Sequence, residues 1–132
     1  MKICFVLGTR PEIIKLFPLI KLCTDEKIQY FIIHTGQHYS YMMDKKFFED
    51  FNIKPKYILN REKSFITSTI DKISPIFLRE KPDYIINQGD TNTVLASALA
   101  CNKLSLNMID NKKFKLVHVE SGLRSHDKSM PE

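Results

Sequence analysis

The chain is poor in the residues that mark several common protein classes. Only three cysteines occur among 132 residues, Cys4, Cys23 and Cys101. Their number is odd, each lies in an apolar context and no C-x-x-C pair exists, which excludes a disulfide scaffold and suits buried thiols in a reducing compartment, so a cytoplasmic location is expected. Four glycines and six prolines leave no room for a low-complexity linker. The apolar run after Lys2 is interrupted by Gly8 and Arg10 too early for a secretory signal, and no stretch is long enough to cross a membrane. Neither charge is concentrated in a block: the net +5 is spread along the chain, which suits an anionic ligand and indicates neither nucleic acid nor membrane as a partner.

Familiar catalytic signatures are missing too. There is no Walker P-loop, no complete dinucleotide glycine fingerprint and no Ser/His/Asp or Cys/His nucleophile pattern. His34 and His38 are four apart but span an expected strand end and turn, so they do not share a helix face as zinc ligands do. No metal and no cofactor is expected.

What is present is an ordinary globular composition, 43% apolar and 27% charged, in a chain of one-domain size. The most informative stretch is Gly8-Thr-Arg-Pro-Glu-Ile-Ile-Lys15. It follows the apolar run Ile3 to Leu7 and opens a segment with apolar residues at helical spacing, so it reads as strand, tight turn and helix. Gly8 permits a sharp bend, Thr9 or Arg10 can cap, Pro11 suits the first helical turn and Glu12 complements the dipole there. Free N–H groups, the helix dipole, Arg10 and Lys15 then make this end a candidate anion site. Capping alone explains Pro11 and Glu12 equally well.

Apolar runs predict strands near residues 2 to 8, 29 to 34, 83 to 88 and 115 to 120, with the first lying between the second and third. Residues 55 to 60 are at best a short edge strand. Helices are expected after Ser40 through Phe51, from about 64 to 80 with a kink or register break at Pro75, and from about 93 to 103, followed by a polar loop from 107 to 113. Strands alternating with helices of this length call for a doubly wound parallel α/β sheet.

Polar residues fall immediately after the strands: Arg10, Gln37-His38, Asp90-Thr91 and Glu120-Ser121. Ligands of open α/β sheets bind beyond those carboxyl ends, so four separate turns should converge on one site. Asp90 either caps the next helix or, if Thr91 does so, faces the crevice. Glu120, at the end of a Val-rich strand, is expected to be poorly solvated and therefore to need a partner or a task. Arg124 is a candidate partner for Glu120 or for a substrate anion. His118 is read as a hydrogen-bonded core histidine or as a residue that orients its neighbours. Together these residues suggest acid and base chemistry beside an anion site.

With those turns in hand, the sequence resembles the N-terminal part of a non-hydrolysing UDP-N-acetylglucosamine 2-epimerase. The resemblance rests on the Gly8 to Lys15 stretch, Thr35-Gly-Gln-His38, Gly89-Asp-Thr-Asn-Thr93, His118-Val-Glu-Ser-Gly-Leu-Arg124 and Met130-Pro-Glu132, in that order. It implies a Rossmann-like domain spanning residues 1 to 132, incomplete, from the N-terminal half of a two-domain glycosyltransferase-B-type fold whose second, UDP-binding domain is absent from this chain. It also implies interconversion of UDP-N-acetylglucosamine and UDP-N-acetylmannosamine for polysaccharide precursor synthesis, through loss of the C2 proton, elimination of UDP and re-addition. The family's acidic catalytic positions fall on Asp90, Glu120 and Glu132, with Asp90 and Glu120 also contacting substrate. Arg10 and Lys15 contact substrate or UDP, and Gln37, with His38, matches a position of a regulatory nucleotide-sugar site. A homodimer is implied for the full-length enzyme. The 105 to 113 loop is longer than the family leads one to expect. A glycosyltransferase of the same architecture, or a nucleotide-sugar-binding domain without activity, are the rival readings.

Overall fold

The computed structural model describes residues 1–37, 41–106 and 114–129. His38, the expected cap Ser40, the 107–113 loop and the Met130-Pro-Glu132 motif, with its candidate catalytic Glu132, lie outside the described residues. Five parallel strands form one sheet in the order β3-β2-β1-β4-β5, where β1 is Lys2–Leu7, β2 Gln29–His34, β3 Tyr57–Ile58, β4 Tyr84–Gln88 and β5 Lys115–Val119. Helices α1 (Arg10–Asp25), α2 (Tyr41–Asp50), α3 (Phe65–Glu80) and α4 (Asn92–Leu106) connect them. The order reverses between β1 and β4, which places the topological switch point at the carboxyl ends of those two strands.

The central position of β1 follows from its residues, because a strand buried on both faces must be apolar at every position. Ile3, Phe5 and Leu7 pack with Ile13, Leu16 and Ile20 of α1 and Phe48 of α2. Cys4 and Val6 point the other way, to Ile73 and Phe77 of α3 and Ala100 of α4. Small residues at Ala96, Ser97 and Ala100 let α4 lie close on the sheet. Gly8 ends β1 where chains crowd: a Cβ there would lie 2.1 Å from Thr35 Oγ1 and 2.6 Å from Thr93 Oγ1.

One expectation needs correction. Helix α3 runs unbroken through Pro75. Pro75 and Asp71 are both exposed, so the Asp71 carbonyl that loses its helical donor can be hydrated. Strand β5 is an edge of the described sheet, with Leu116 40% and Val117 38% exposed.

At the amino-terminal end of the sheet, Glu80 closes α3 and gathers Lys2 Nζ at 2.5 Å, Lys56 Nζ at 2.6 Å and the Tyr57 hydroxyl. Lys2 foremost, then Lys56 and Tyr57, hold this carboxyl down to about 2. A carboxylate whose folded pKa is depressed stabilises the fold above its unfolded pKa and loses that contribution as pH falls toward the folded value. Glu80→Gln is therefore expected to cost on the order of 1–2 kcal/mol at pH 7 after allowance for solvent screening. It should also flatten the loss of stability between the ordinary carboxylate range and about pH 2. Urea unfolding across that window checks this, and an unchanged acid limb in the variant would contradict it.

Candidate functional site

A cavity of about 700 Å³ opens at the switch point, between the start of α1, the β4–α4 turn and the segment after β5. Glu12 and Lys15 come from α1, Gln88, Asp90 and Thr91 from the end of β4, and His118, Glu120 and Arg124 from β5 and beyond. Asp90 and Glu120, separate in sequence, thus line one cavity at one end of the sheet.

The α1 terminus is built around a buried carboxylate. Thr9 is the N-cap residue, with extended φ −136° and ψ 158°. The N–H groups of Gly8 and Thr9 are not free: both donate to Glu12 Oε2, at 2.7 and 2.8 Å. Glu12 is only 1% exposed. Burial raises its pKa, while its hydrogen bonds to Thr91, Gly8 and Thr9 act in the opposite sense. The carboxylate thus takes the N–H groups of the turn that leads into the first helical residue, Arg10.

Lys15 reaches across the cavity instead. Its Nζ donates to both Glu120 oxygens, at 2.9 and 2.6 Å, and the Gln88 amide donates to Glu120 Oε2. These contacts depress the Glu120 carboxyl, Lys15 having the largest effect. Glu120 therefore has a partner, as its position suggested, but it stays 27% exposed because β5 is an edge strand. Its backbone is left-handed, φ 66°, a strained geometry for a residue with a side chain and one that turns the chain out of the strand.

Arg124 is not the partner of Glu120. Its Nη1 donates to the carbonyls of Ser121 and Leu123, both at 2.7 Å, folding the side chain back on its own loop. Nor is His118 a core residue: on the exposed strand its ring lines the cavity, Nε2 lying 2.6 Å from the Gly89 carbonyl. Thr91 accepts from the Val94 N–H at 3.3 Å, so it serves the start of α4 and Asp90 is left exposed at the cavity.

Two expected members lie elsewhere. Arg10 stands outside the cavity, its guanidinium 5.9 Å from the centre of the Phe47 ring. Gln37 also lies outside it, its Oε1 accepting from the Thr93 N–H at 2.9 Å and the Thr93 hydroxyl at 2.7 Å at the start of α4. Sequence reasoning missed Gln88, whose place at a strand end carried no chemical signal. It read Glu12 only as a first-turn acid, although the Thr-x-x-Glu spacing of a capping box was visible. Among the described residues, no cluster of three or more His, Cys, Asp or Glu has metal-binding geometry, and no helix is long and apolar enough to cross a membrane.

A cavity walled by carboxylates and one lysine, at the switch point of a doubly wound sheet, defines a small-molecule site of the open α/β class. The UDP-N-acetylglucosamine 2-epimerase family model matches residues 20–132. A UDP-N-acetylglucosamine 2-epimerase of Methanocaldococcus jannaschii is 49% identical over 137 residues, covering 100% of this chain and 35% of the relative. A UDP-2,3-diacetamido-2,3-dideoxy-D-glucuronate 2-epimerase of Pseudomonas aeruginosa is 36% identical, covering 100% and 37%. The crystal structure of the M. jannaschii UDP-GlcNAc 2-epimerase in complex with UDP-GlcNAc and UDP superposes with a TM-score of 0.86 at 47% identity, over 100% of this chain and 36% of that one. The chain belongs to the UDP-N-acetylglucosamine 2-epimerase family. It spans about a third of the length of these relatives.

Proposed function

We propose that this chain supplies the proton-transfer wall of a nucleotide-sugar 2-epimerase that interconverts UDP-N-acetylglucosamine and UDP-N-acetylmannosamine. The observation that carries the reading is the meeting of Asp90, Glu120 and Lys15 around one cavity at the switch point. Epimerisation at C2 needs a group to remove the C2 proton, stabilisation of the departing diphosphate and a group to return a proton on the opposite face. Asp90 and Glu120 are the carboxylates placed for proton transfer, with Glu132 joining them by its family position. Lys15 is the cation placed to exchange its carboxylate partner for a diphosphate. Arg10 serves the nucleotide from outside the cavity. The enzyme works in the cytoplasm as a homodimer, and its polysaccharide-precursor role follows from the product.

The test is to assay an enzyme of the relatives' length built on this chain. Incubated with UDP-N-acetylglucosamine in deuterated water, it should yield the manno epimer with deuterium at C2. The Pseudomonas relative's name motivates a parallel incubation with UDP-2,3-diacetamido-2,3-dideoxy-D-glucuronate. Turnover of that sugar alone would reassign the substrate, and turnover of neither would overturn the reaction.

A further inference from the structure

Among the described carboxylates lining the cavity, Glu12 is the most deeply buried, and the proposed reaction gives it no task. Burial of a carboxylate opposes its charge, so its surroundings must answer that cost. Capping explains only one of its two carboxylate oxygens. Oε2 alone takes the N–H groups of Gly8 and Thr9. Oε1 reaches instead to a hydroxyl 79 residues away, accepting from Thr91 Oγ1 at 2.5 Å.

That second bond spans the switch point. Thr91 has one hydroxyl proton, given to Glu12, while its oxygen accepts from the Val94 N–H at the start of α4. The turn before it bends at Gly89, with φ +80°, and the Gly89 N–H donates to the Val119 carbonyl at 3.1 Å. The turn is thus pinned to β5 on one side and to α1 on the other, with Asp90 between the two pins. We propose that Glu12 is a positioning residue for the reaction: by holding the Thr91 hydroxyl it fixes the Gly89-Asp90-Thr91 turn, so that the Asp90 carboxylate is presented to the cavity. This rests on the reading of the cavity as a proton-transfer site. Glu12 itself acts through Thr91 and needs no contact with substrate.

The test uses Glu12→Gln, Thr91→Val and Thr91→Ser. Glutamine keeps an oxygen for the Gly8 and Thr9 N–H groups but lacks the second acceptor, valine removes the donor, and serine retains it. In the 132-residue chain, amide exchange at Gly89 should quicken by about tenfold in Glu12→Gln and Thr91→Val and stay at the wild-type rate in Thr91→Ser. In the longer enzyme the first two should lose about 10- to 100-fold in kcat with KM little changed, as a misplaced reacting group does. Serine should retain turnover, and the Glu12→Gln/Thr91→Val double variant should be no worse than Thr91→Val alone, since both singles remove the Glu12–Thr91 bond while valine also removes the acceptor of the Val94 N–H. Folded Glu12→Gln and Thr91→Val variants with unchanged kcat would overturn the proposal. So would serine behaving like valine. If Glu12→Gln does not fold, the Thr91 pair decides. An inactive unmutated enzyme would fail the functional reading, while exchange at Gly89 would still decide whether Glu12 holds the turn.

Discussion

Glu120→Gln, introduced into an enzyme of the relatives' length built on this chain, is expected to lower turnover by about 10²–10⁴-fold, the usual contribution of a positioned acid or base. Glutamine preserves the size of the side chain and an oxygen for the Lys15 ammonium, and it can still meet the Gln88 amide through a modest rotation. The backbone requirement at this left-handed position is met no worse than by glutamate. What is lost is the capacity to carry a proton. Lys15 depresses the Glu120 carboxyl, so at neutral pH it is ionised and able to accept one. The loss should therefore appear in kcat, with UDP affinity little changed, which is the signature of an interaction made only in the transition state. A coupled assay of epimerisation alongside calorimetric titration with UDP separates the two quantities. Wild-type turnover in the variant would remove Glu120 from the chemistry.

The parts of the fold written in apolar runs were legible. Continuous runs at Ile3 to Leu7, Phe31 to Ile33 and Tyr84 to Ile86 became the three inner strands, with the first between the other two. A short apolar run alone could equally be a buried helix segment; the brevity of these runs, their Ile, Val, Phe and Tyr content and the turn residues that follow each one mark them as strands. The fifth strand shows the limit. Leu116, Val117 and Val119 look the same in sequence whether a neighbour covers them or not, so exposure at an edge is a tertiary fact. The misreadings of His118 and of Glu120's solvation follow from that one difference. Pro75 illustrates a second limit: its cost depends on whether the orphaned carbonyl meets water, which only the exposed face of α3 decides.

At the cavity, the positions of Asp90 and Glu120 were legible because chain order and strand ends determine them. Their partners were not. Arg124 was near Glu120 in sequence, yet Lys15, 105 residues away, forms the pair, because the start of α1 and the end of β5 line one cavity at the switch point. Glu12 makes the same point. Its capping spacing was visible locally, but its bond to Thr91 depends on two turns meeting across β1 and β4.

The 132-residue polypeptide alone is expected not to epimerise UDP-N-acetylglucosamine. The relatives it matches are about three times its length, and a substrate cleft works by holding substrate against groups from both of its walls while excluding water. In this chain the cavity wall formed by residues 121 to 125 is exposed throughout, and Leu123 is 67% exposed. The Lys15 side chain is 49% exposed. A diphosphate drawn to it would remain hydrated, its attraction screened over about 10 Å at ordinary salt. Binding of UDP should therefore be weak and should fall as salt is raised. The edge strand β5, with Leu116 and Val117 exposed, should meanwhile favour self-association at high concentration, visible as a concentration-dependent sedimentation coefficient. The decisive measurement incubates the purified polypeptide with UDP-N-acetylglucosamine in deuterated water and follows the C2 proton signal by NMR. No exchange and no manno epimer are expected over a time in which the longer enzyme reaches equilibrium. Robust C2 exchange by the 132 residues alone would show that Asp90, Glu120 and Lys15 suffice without a second wall.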